Sequence, residues 1–341
     1  MTIYLGTYTE ALPHVHGVAS GIIVGDYRDG AISGLHSVAA RSPSWLVTSA
    51  THVYAVAEAG AGDPGQLAVF ARTEHSLVHL QSVPSGGLEP AHLALDPTGR
   101  FLVLANYADG VLCILELDDD GTVERQVQRV QLEGRSVHPV RQSGPHPHHV
   151  LFDPVGGEVL VADLGADAVI RFKFDGGTLT ELGRIPLTPG SGPRHAALHP
   201  DGERLLVLNE LASTVAVFRR STVGFVAESV VSTLPTGVHV PSFASALAVT
   251  AAGDRVYASN RGHDSIAVLD ASGRRLELVQ IELSRGRTPR DLTLSPDERY
   301  LLVANQDSDT IARFERDEMG LLRYVDSVSV PTPACVIVRK L

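Results

Sequence analysis

One pattern returns along this 341-residue chain and decides what it folds into. A short apolar segment runs into Asp, His or Ser, then Pro-x-Gly or a variant, then a second apolar segment ending in Asn or Asp. Four copies are clear: PAHLALDPTGRFLVLANYADG from Pro90, PHHVLFDPVGGEVLVADLGAD from Pro147, PRHAALHPDGERLLVLNELAS from Pro193 and PRDLTLSPDERYLLVANQDSD from Pro289. Two are degenerate, PSWLVTSATHVYAVAEA from Pro43 and ASALAVTAAGDRVYASNRGHD from Ala244. A seventh is split, with PACVIVRKL at the C-terminus and TIYLGTYTE at the N-terminus. The third residue of each copy falls at Trp45, His92, His149, His195, Ala246, Asp291 and Cys335, with spacings of 44 to 57 residues. That period is the signature of four-stranded blades arranged around an axis.

The expected fold is therefore all-β: a seven-bladed β-propeller of four-stranded blades, with residues 1–341 as a single domain. Pairing the C-terminal strand with N-terminal ones closes the ring and removes two open sheet edges. Segments 18–27 and 31–39 would complete the split blade. Runs such as FLVLANY and LLVLNEL are apolar throughout, which suits sheets covered on both faces by neighbouring blades. No Gly-His…Trp-Asp signature is present and the chain has one Trp, which sets aside the WD-repeat version. Thirty-two Gly and 20 Pro agree with many turns.

A net charge of −11 argues against a nucleic-acid or anionic-membrane surface. Two distant cysteines, Cys113 and Cys335, indicate no disulfide scaffold. The N-terminus lacks a basic and then long apolar stretch, and no run of about 18 apolar residues exists. The expectation is a cytoplasmic protein, a monomer or weak homo-oligomer.

The first two strands of a blade are antiparallel neighbours, so the start of one and the end of the other share an edge. The first-strand column reads Ser44, Ala91, His148, Arg194, Ser245, Arg290 and Ala334. The second-strand column reads Glu58, Tyr107, Leu164, Glu210, Arg261, Gln306 and Tyr8. Both should ring one mouth of the central channel. Structural residues repeat in every copy, but here the reactive side chains concentrate on blades three to six. Arg194, Arg261 and Arg290 together would bind an anion, because guanidinium forks match carboxylate and phosphate oxygens. His148 and Glu210 are candidate general bases. Tyr107, Gln306 and His146 are further candidates for substrate contact.

Structural roles compete at each position. An arginine here also serves as an ion-pair partner for Asp163 or Glu58, and Glu210 as the counter-ion of Arg194. His92, His149 and His195 follow the first column by one residue and face the other way, as inter-blade hydrogen-bonding groups. Asn106, Asn209, Asn260 and Asn305 recur with Asp163 at one position, which suggests turn capping. In the Pro- and His-rich stretch 138–149, His146 and His148 are two apart and could share a face. A third ligand is missing, so no metal site is expected. The stretch is a candidate partial lid over the mouth.

GSGPRH (190–195), LNEL (208–211), SNRGHDSI (259–266), PRDLTLSP (289–296) and VANQDSD (303–309) resemble the lactonase-type seven-bladed propeller family. ANYADG (105–110), RQSGPHPHH (141–149), ADLGAD (162–167) and the opening YLGTYT fit as well. That family includes 6-phosphogluconolactonases and fungal carboxymuconate lactonising enzymes. The resemblance implies an active-site set of His148, Arg194, Glu210 and Arg261. Departures are Ala91, where relatives often carry Cys, and Asp109–Leu112, which lacks the usual Gly-Ser. It implies first a lactone hydrolase, foremost of 6-phosphogluconolactone in the pentose phosphate route, needing no metal or organic cofactor. A cycloisomerase acting on a muconate-like polycarboxylate would use the same anion clamp. A non-catalytic binding propeller would have no use for the asymmetric His/Arg/Glu/Arg set. A six-bladed metal-dependent lactonase conflicts with seven copies. The expected partner is a small anionic lactone or polycarboxylate.

Overall fold

A computed structural model describes residues 1–58, 60, 62–238, 240–273 and 275–339. It is a ring of seven four-stranded antiparallel sheets, with a two-stranded hairpin, Ala11–Leu12 with Val15–His16, inserted near the N-terminus. The blades' innermost strands begin at Pro43, Pro90, Pro147, Pro193, Phe243, Pro289 and Pro333. The split blade is closed as expected: Pro333–Arg339 pairs antiparallel with Thr2–Thr7, which pairs in turn with Gly21–Arg28, followed by Ala31–Ala39. The helical content described is one short turn at Gln306–Ser308, and no helix is long and apolar enough to cross a membrane.

Second strands such as Phe101–Asn106 and Tyr300–Asn305 are buried at every position. Outermost strands such as Thr178–Pro186 alternate or are largely exposed. This gradient follows from the packing, since seven apolar layers each lie between adjacent blades. Leu104 and Cys113 of blade two meet Val56 and Leu67 of blade one, and Val103 and Ile114 meet Val161 and Ile170 of blade three. The turn between the two inner strands is set by its acid. In blade two, Asp96 accepts the amides of Arg100 and Phe101 at 2.8 and 2.7 Å, while Gly99 takes φ +75°.

The recurring Asn side chains do more than cap turns. Asn106 donates to the Ser85 carbonyl at 3.2 Å, Asn260 to that of Thr233 at 2.8 Å and Asn305 to that of Ser284 at 3.0 Å, each at the outer strand of the preceding blade. They fasten one blade to the next. Asp163 does cap its own turn, accepting the amides of His146, Gly165 and Ala166.

Candidate functional site

At the start of each innermost strand the ladder slips. In blades one, two, three, four and six, the proline and the residue two beyond it pair with consecutive residues of the second strand. The residue between them has no partner. Those unpaired residues are Ser44, Ala91, His148, Arg194 and Arg290, the first-strand column itself. A β-bulge re-aims one side chain without disturbing the rest of the strand, and here it turns the column toward the channel. The second-strand column is pinned beside it. The amides of Glu58, Tyr107, Leu164, Glu210 and Gln306 donate to the carbonyls of Ser42, Glu89, His146, Gly192 and Thr288, each just before a blade's proline.

The two columns line a cavity of about 290 Å³, walled by Glu58, Ala91, Tyr107, His148, Glu210, Arg261, Arg290 and Gln306. Four residues not anticipated complete the wall: His14, Glu89, Arg141 and Thr288. Arg194 lies beneath, 3% exposed, as a floor cation. Below it, the third residues of the inner strands meet across the axis. Ring centroids of Trp45 and His92 are 4.6 Å apart, His92 and His149 4.1 Å, His149 and His195 4.8 Å, and Trp45 and His195 5.4 Å. The last contact joins blade one to blade four, so the channel is plugged under the cavity. Of these histidines, His92 does bridge blades, accepting the Val150 amide at 3.2 Å, whereas the buried His149 Nδ1 has no partner among the described residues.

Glu210 sits among three guanidiniums. Arg141 Nη2 is 2.6 Å from Oε1, and Arg261 Nη2 and Arg194 Nε are 2.8 and 3.1 Å from Oε2. Burial alone would raise this carboxyl, but Arg261, Arg141 and Arg194 outweigh it and hold it at about 2. Arg194 also donates from Nη1 to the Ser245 carbonyl and stands 3.0 Å from His195 Nε2. Burial pushes Arg194 down and Glu210 offsets part of that loss. Arg261 is less well served: Nη2 meets Glu210, but its buried Nε has no acceptor among the described residues.

Burial, and then Arg194, Arg290 and Arg261, push His148 well below the usual histidine range, so it stands neutral, with Nδ1 unpartnered among the described residues. Tyr107 stacks on His146 at 4.5 Å, receives a bond from Arg141 Nε at 3.2 Å, and meets His148 edge-on at 5.7 Å. His146 is thus a backing residue for Tyr107, whose carbonyl it meets at 2.8 Å, rather than part of the cavity wall. Gln306 donates to Asp307 at 2.8 Å, and its buried Oε1 has no donor among the described residues. Among the described residues no group of His, Cys, Asp and Glu is arranged to hold a metal ion.

The opposite wall is acidic. Glu58 accepts the Tyr8 hydroxyl at 2.7 Å and lies 3.3 Å from His14 Nε2 and 3.9 Å from Arg290 Nη2, while Arg290 covers the Tyr8 ring at 5.0 Å. Burial would raise Glu58, but His14, Arg290 and Tyr8 hold it at about 2. Glu89, raised by burial and by Glu58, stands beside it in a left-handed conformation, φ +49°.

The unanticipated residues all lie outside the two columns. Glu89 and Thr288 occupy the position before a blade's proline, a third column that the repeat offered but two columns did not include. Arg141 belongs to the unusual 138–149 stretch, which is docked by Gln142: its side chain donates to the Leu164 carbonyl at 2.9 Å and accepts the His138 amide at 3.0 Å. His14 lies in residues 8–20, a connection far longer than the four residues used between the second and third strands of blades two, three and four.

Comparison with known proteins agrees with this architecture. Residues 2–338 match the family described as Lactonase, 7-bladed beta-propeller. The chain is 34% identical over 303 residues to a 6-phosphogluconolactonase of Bacillus subtilis, covering 86% of each, and 29% identical over 343 residues to one of Formosa agariphila, covering 94% of each. Among solved structures, the periplasmic gluconolactonase of Pseudomonas aeruginosa superposes with a TM-score of 0.90 at 28% identity over 98% of both chains. A protein from Lactobacillus plantarum gives 0.91 at 29% over 98% of both. By its repeats, its ring and these matches, the chain belongs to the lactonase family of seven-bladed β-propellers.

Proposed function

We propose that this protein hydrolyses the lactone of an anionic sugar acid, with 6-phosphogluconolactone as the first substrate to try. The observation that carries the proposal is Arg261, a cavity-lining guanidinium that pairs with Glu210 through Nη2 but keeps a buried Nε–H with no acceptor among the described residues. Leaving such donors unpaired is costly, and an anionic oxygen is the group that satisfies them best. The surrounding charge agrees: Arg141, Arg194, Arg261 and Arg290 outnumber the carboxylates Glu58, Glu89 and Glu210. Lactonases among the relatives supply the reaction class.

In this reading Arg261 and Arg290 take the substrate's anionic group and face the oxyanion that forms when the ester carbonyl is attacked. Glu210 orders three arginines and, held at about 2, is a counter-ion rather than a proton acceptor near neutrality. Neutral His148 serves as a hydrogen-bonding partner to the carbonyl or ring oxygen, as an imidazole kept uncharged can. Tyr107 and Gln306 orient the sugar hydroxyls.

The test is hydrolysis of freshly prepared 6-phosphogluconolactone beside unphosphorylated gluconolactone, with EDTA present and spontaneous hydrolysis subtracted. Chelator-resistant turnover is expected, with the phosphorylated lactone preferred through KM. Arg261→Ala should lower kcat/KM by about 10²-fold or more, the loss expected for a charge-assisted contact in a dry site. A wild-type rate no greater than background on both lactones would overturn the proposal.

A further inference from the structure

His14 is the feature of this cavity that the anion clamp does not explain. The loop carrying it is firmly built. Its hairpin pairs Ala11 with His16 and Leu12 with Val15, and buried Val15 packs on Tyr8 and Ala334. Ala19 donates to the Tyr8 carbonyl at 3.1 Å and Val18 to the Thr332 hydroxyl at 3.1 Å. Glu10, at the root of the hairpin, is gripped by Arg41 at 2.9 and 3.2 Å. Pro13 and His14 form the tip, which hangs over the acidic wall. There His14 Nε2 stands 3.3 Å from Glu58 Oε1 and 3.4 Å from the Tyr8 hydroxyl, with its ring edge-on to Tyr8 at 5.4 Å.

We propose that His14, oriented by Glu58, is the catalytic residue that moves the proton in lactone hydrolysis. This rests on the lactone-hydrolase reading above. A buried carboxylate beside one imidazole nitrogen selects the tautomer: Nε2 carries the hydrogen toward Glu58, and Nδ1 presents its lone pair. Nδ1 makes no bond to a described protein group, and the side chain, 43% exposed, lines the cavity. Glu58 is itself fixed by the Tyr8 hydroxyl, so the pair has the base-plus-orienting-acid layout that proton transfer requires. The other titratable groups beside the pair are Tyr8, Arg290 and Glu89, and Glu89 has no ion-pair partner among the described residues.

The step balances without a co-reactant. Water oxygen bonds to the lactone carbonyl carbon while His14 Nδ1 takes one water proton. The carbonyl electron pair moves to oxygen, facing the arginines. Collapse re-forms the carbonyl and breaks the bond to the ring oxygen, which takes the proton back from His14. The product is the open-chain hydroxy acid.

The experiment compares wild type, His14→Ala, His14→Gln and Glu58→Gln on 6-phosphogluconolactone, with and without added imidazole, subtracting the uncatalysed rate at each imidazole concentration. Binding of the product 6-phosphogluconate, measured by calorimetry, reports whether each variant keeps the folded cavity. Both His14 variants should lose kcat by about 10²-fold or more, the usual contribution of a positioned base, with KM and product affinity little changed. Imidazole should restore part of the activity of His14→Ala, whose vacated space opens to solvent, but not that of Arg261→Ala. Glu58→Gln, which alters a positioning residue, should lower kcat without gaining from imidazole. Retention of kcat by His14→Ala, or loss without imidazole rescue while product still binds, would overturn the assignment. An inactive wild type would instead remove the lactone-hydrolase reading on which it rests.

Discussion

A glutamate with three guanidiniums within 3.1 Å is a keystone before it is anything else. Removing the Glu210 charge leaves Arg141, Arg194 and Arg261 to repel one another in a buried space. Breaking one partner of a buried ionic cluster costs about 3–5 kcal/mol. Glu210→Gln is therefore expected to lower the denaturation midpoint markedly and to weaken product binding, both read on the same preparation. A variant that lost turnover while keeping full stability would instead mark Glu210 as a reacting group. How far such roles were legible in advance differs by residue. The columns containing His148, Arg194, Glu210, Arg261 and Arg290 followed from strand pairing and a repeated offset. The charge states of Glu210 and His148 did not, because they depend on how far arginines reach from three separate segments, one of them the non-repeating loop of Arg141.

Among elements, the strands were legible and the loops were not. A strand betrays itself by local composition, and a blade by its recurrence. The Ala11–His16 hairpin has neither signal, and what it does follows from where Val15 packs. The bulge at each inner strand was also invisible, since it is a mismatch between two strands rather than a property of one. Because the hairpin lies outside the seven sheets, shortening residues 9–18 to a tight turn while keeping the buried Tyr8 is expected to leave the ring intact. It should abolish lactone turnover while changing the melting temperature by a few degrees at most. Collapse of the fold in that variant would show that the hairpin is a structural strut.

Across the whole molecule, the channel concentrates groups whose ionisation differs from that in the unfolded chain. Burial and Arg194 hold His149 down at about 3, and His92, His148 and His195 are likewise depressed. The folded state binds fewer protons at these sites than the unfolded chain, so their contribution is complete above about pH 6.5 and is lost as pH falls. Glu58 and Glu210, both held at about 2, add a loss that begins below about pH 4.3. Asp291, pushed up to about 6 chiefly by burial, acts in the opposite sense and gains as pH falls through that value, and Glu89 and Asp163, also raised chiefly by burial, act with it. Four histidines and two glutamates outweigh these three carboxyls. The melting temperature should therefore drop continuously from neutrality toward pH 4 in calorimetry. A flat profile over that range would contradict these environments.

The aromatic plug of Trp45, His92, His149 and His195 turns what looks like a tunnel into a cul-de-sac. Traffic has one door. A spent molecule leaves through the opening by which it came, past the same arginines, and the next one waits until it has gone. A propeller with a clear bore could pass reactant in at one face and product out at the other. This one works in single file, through an opening bordered by the hairpin and the 138–149 loop, which supply His14 and Arg141 to its wall.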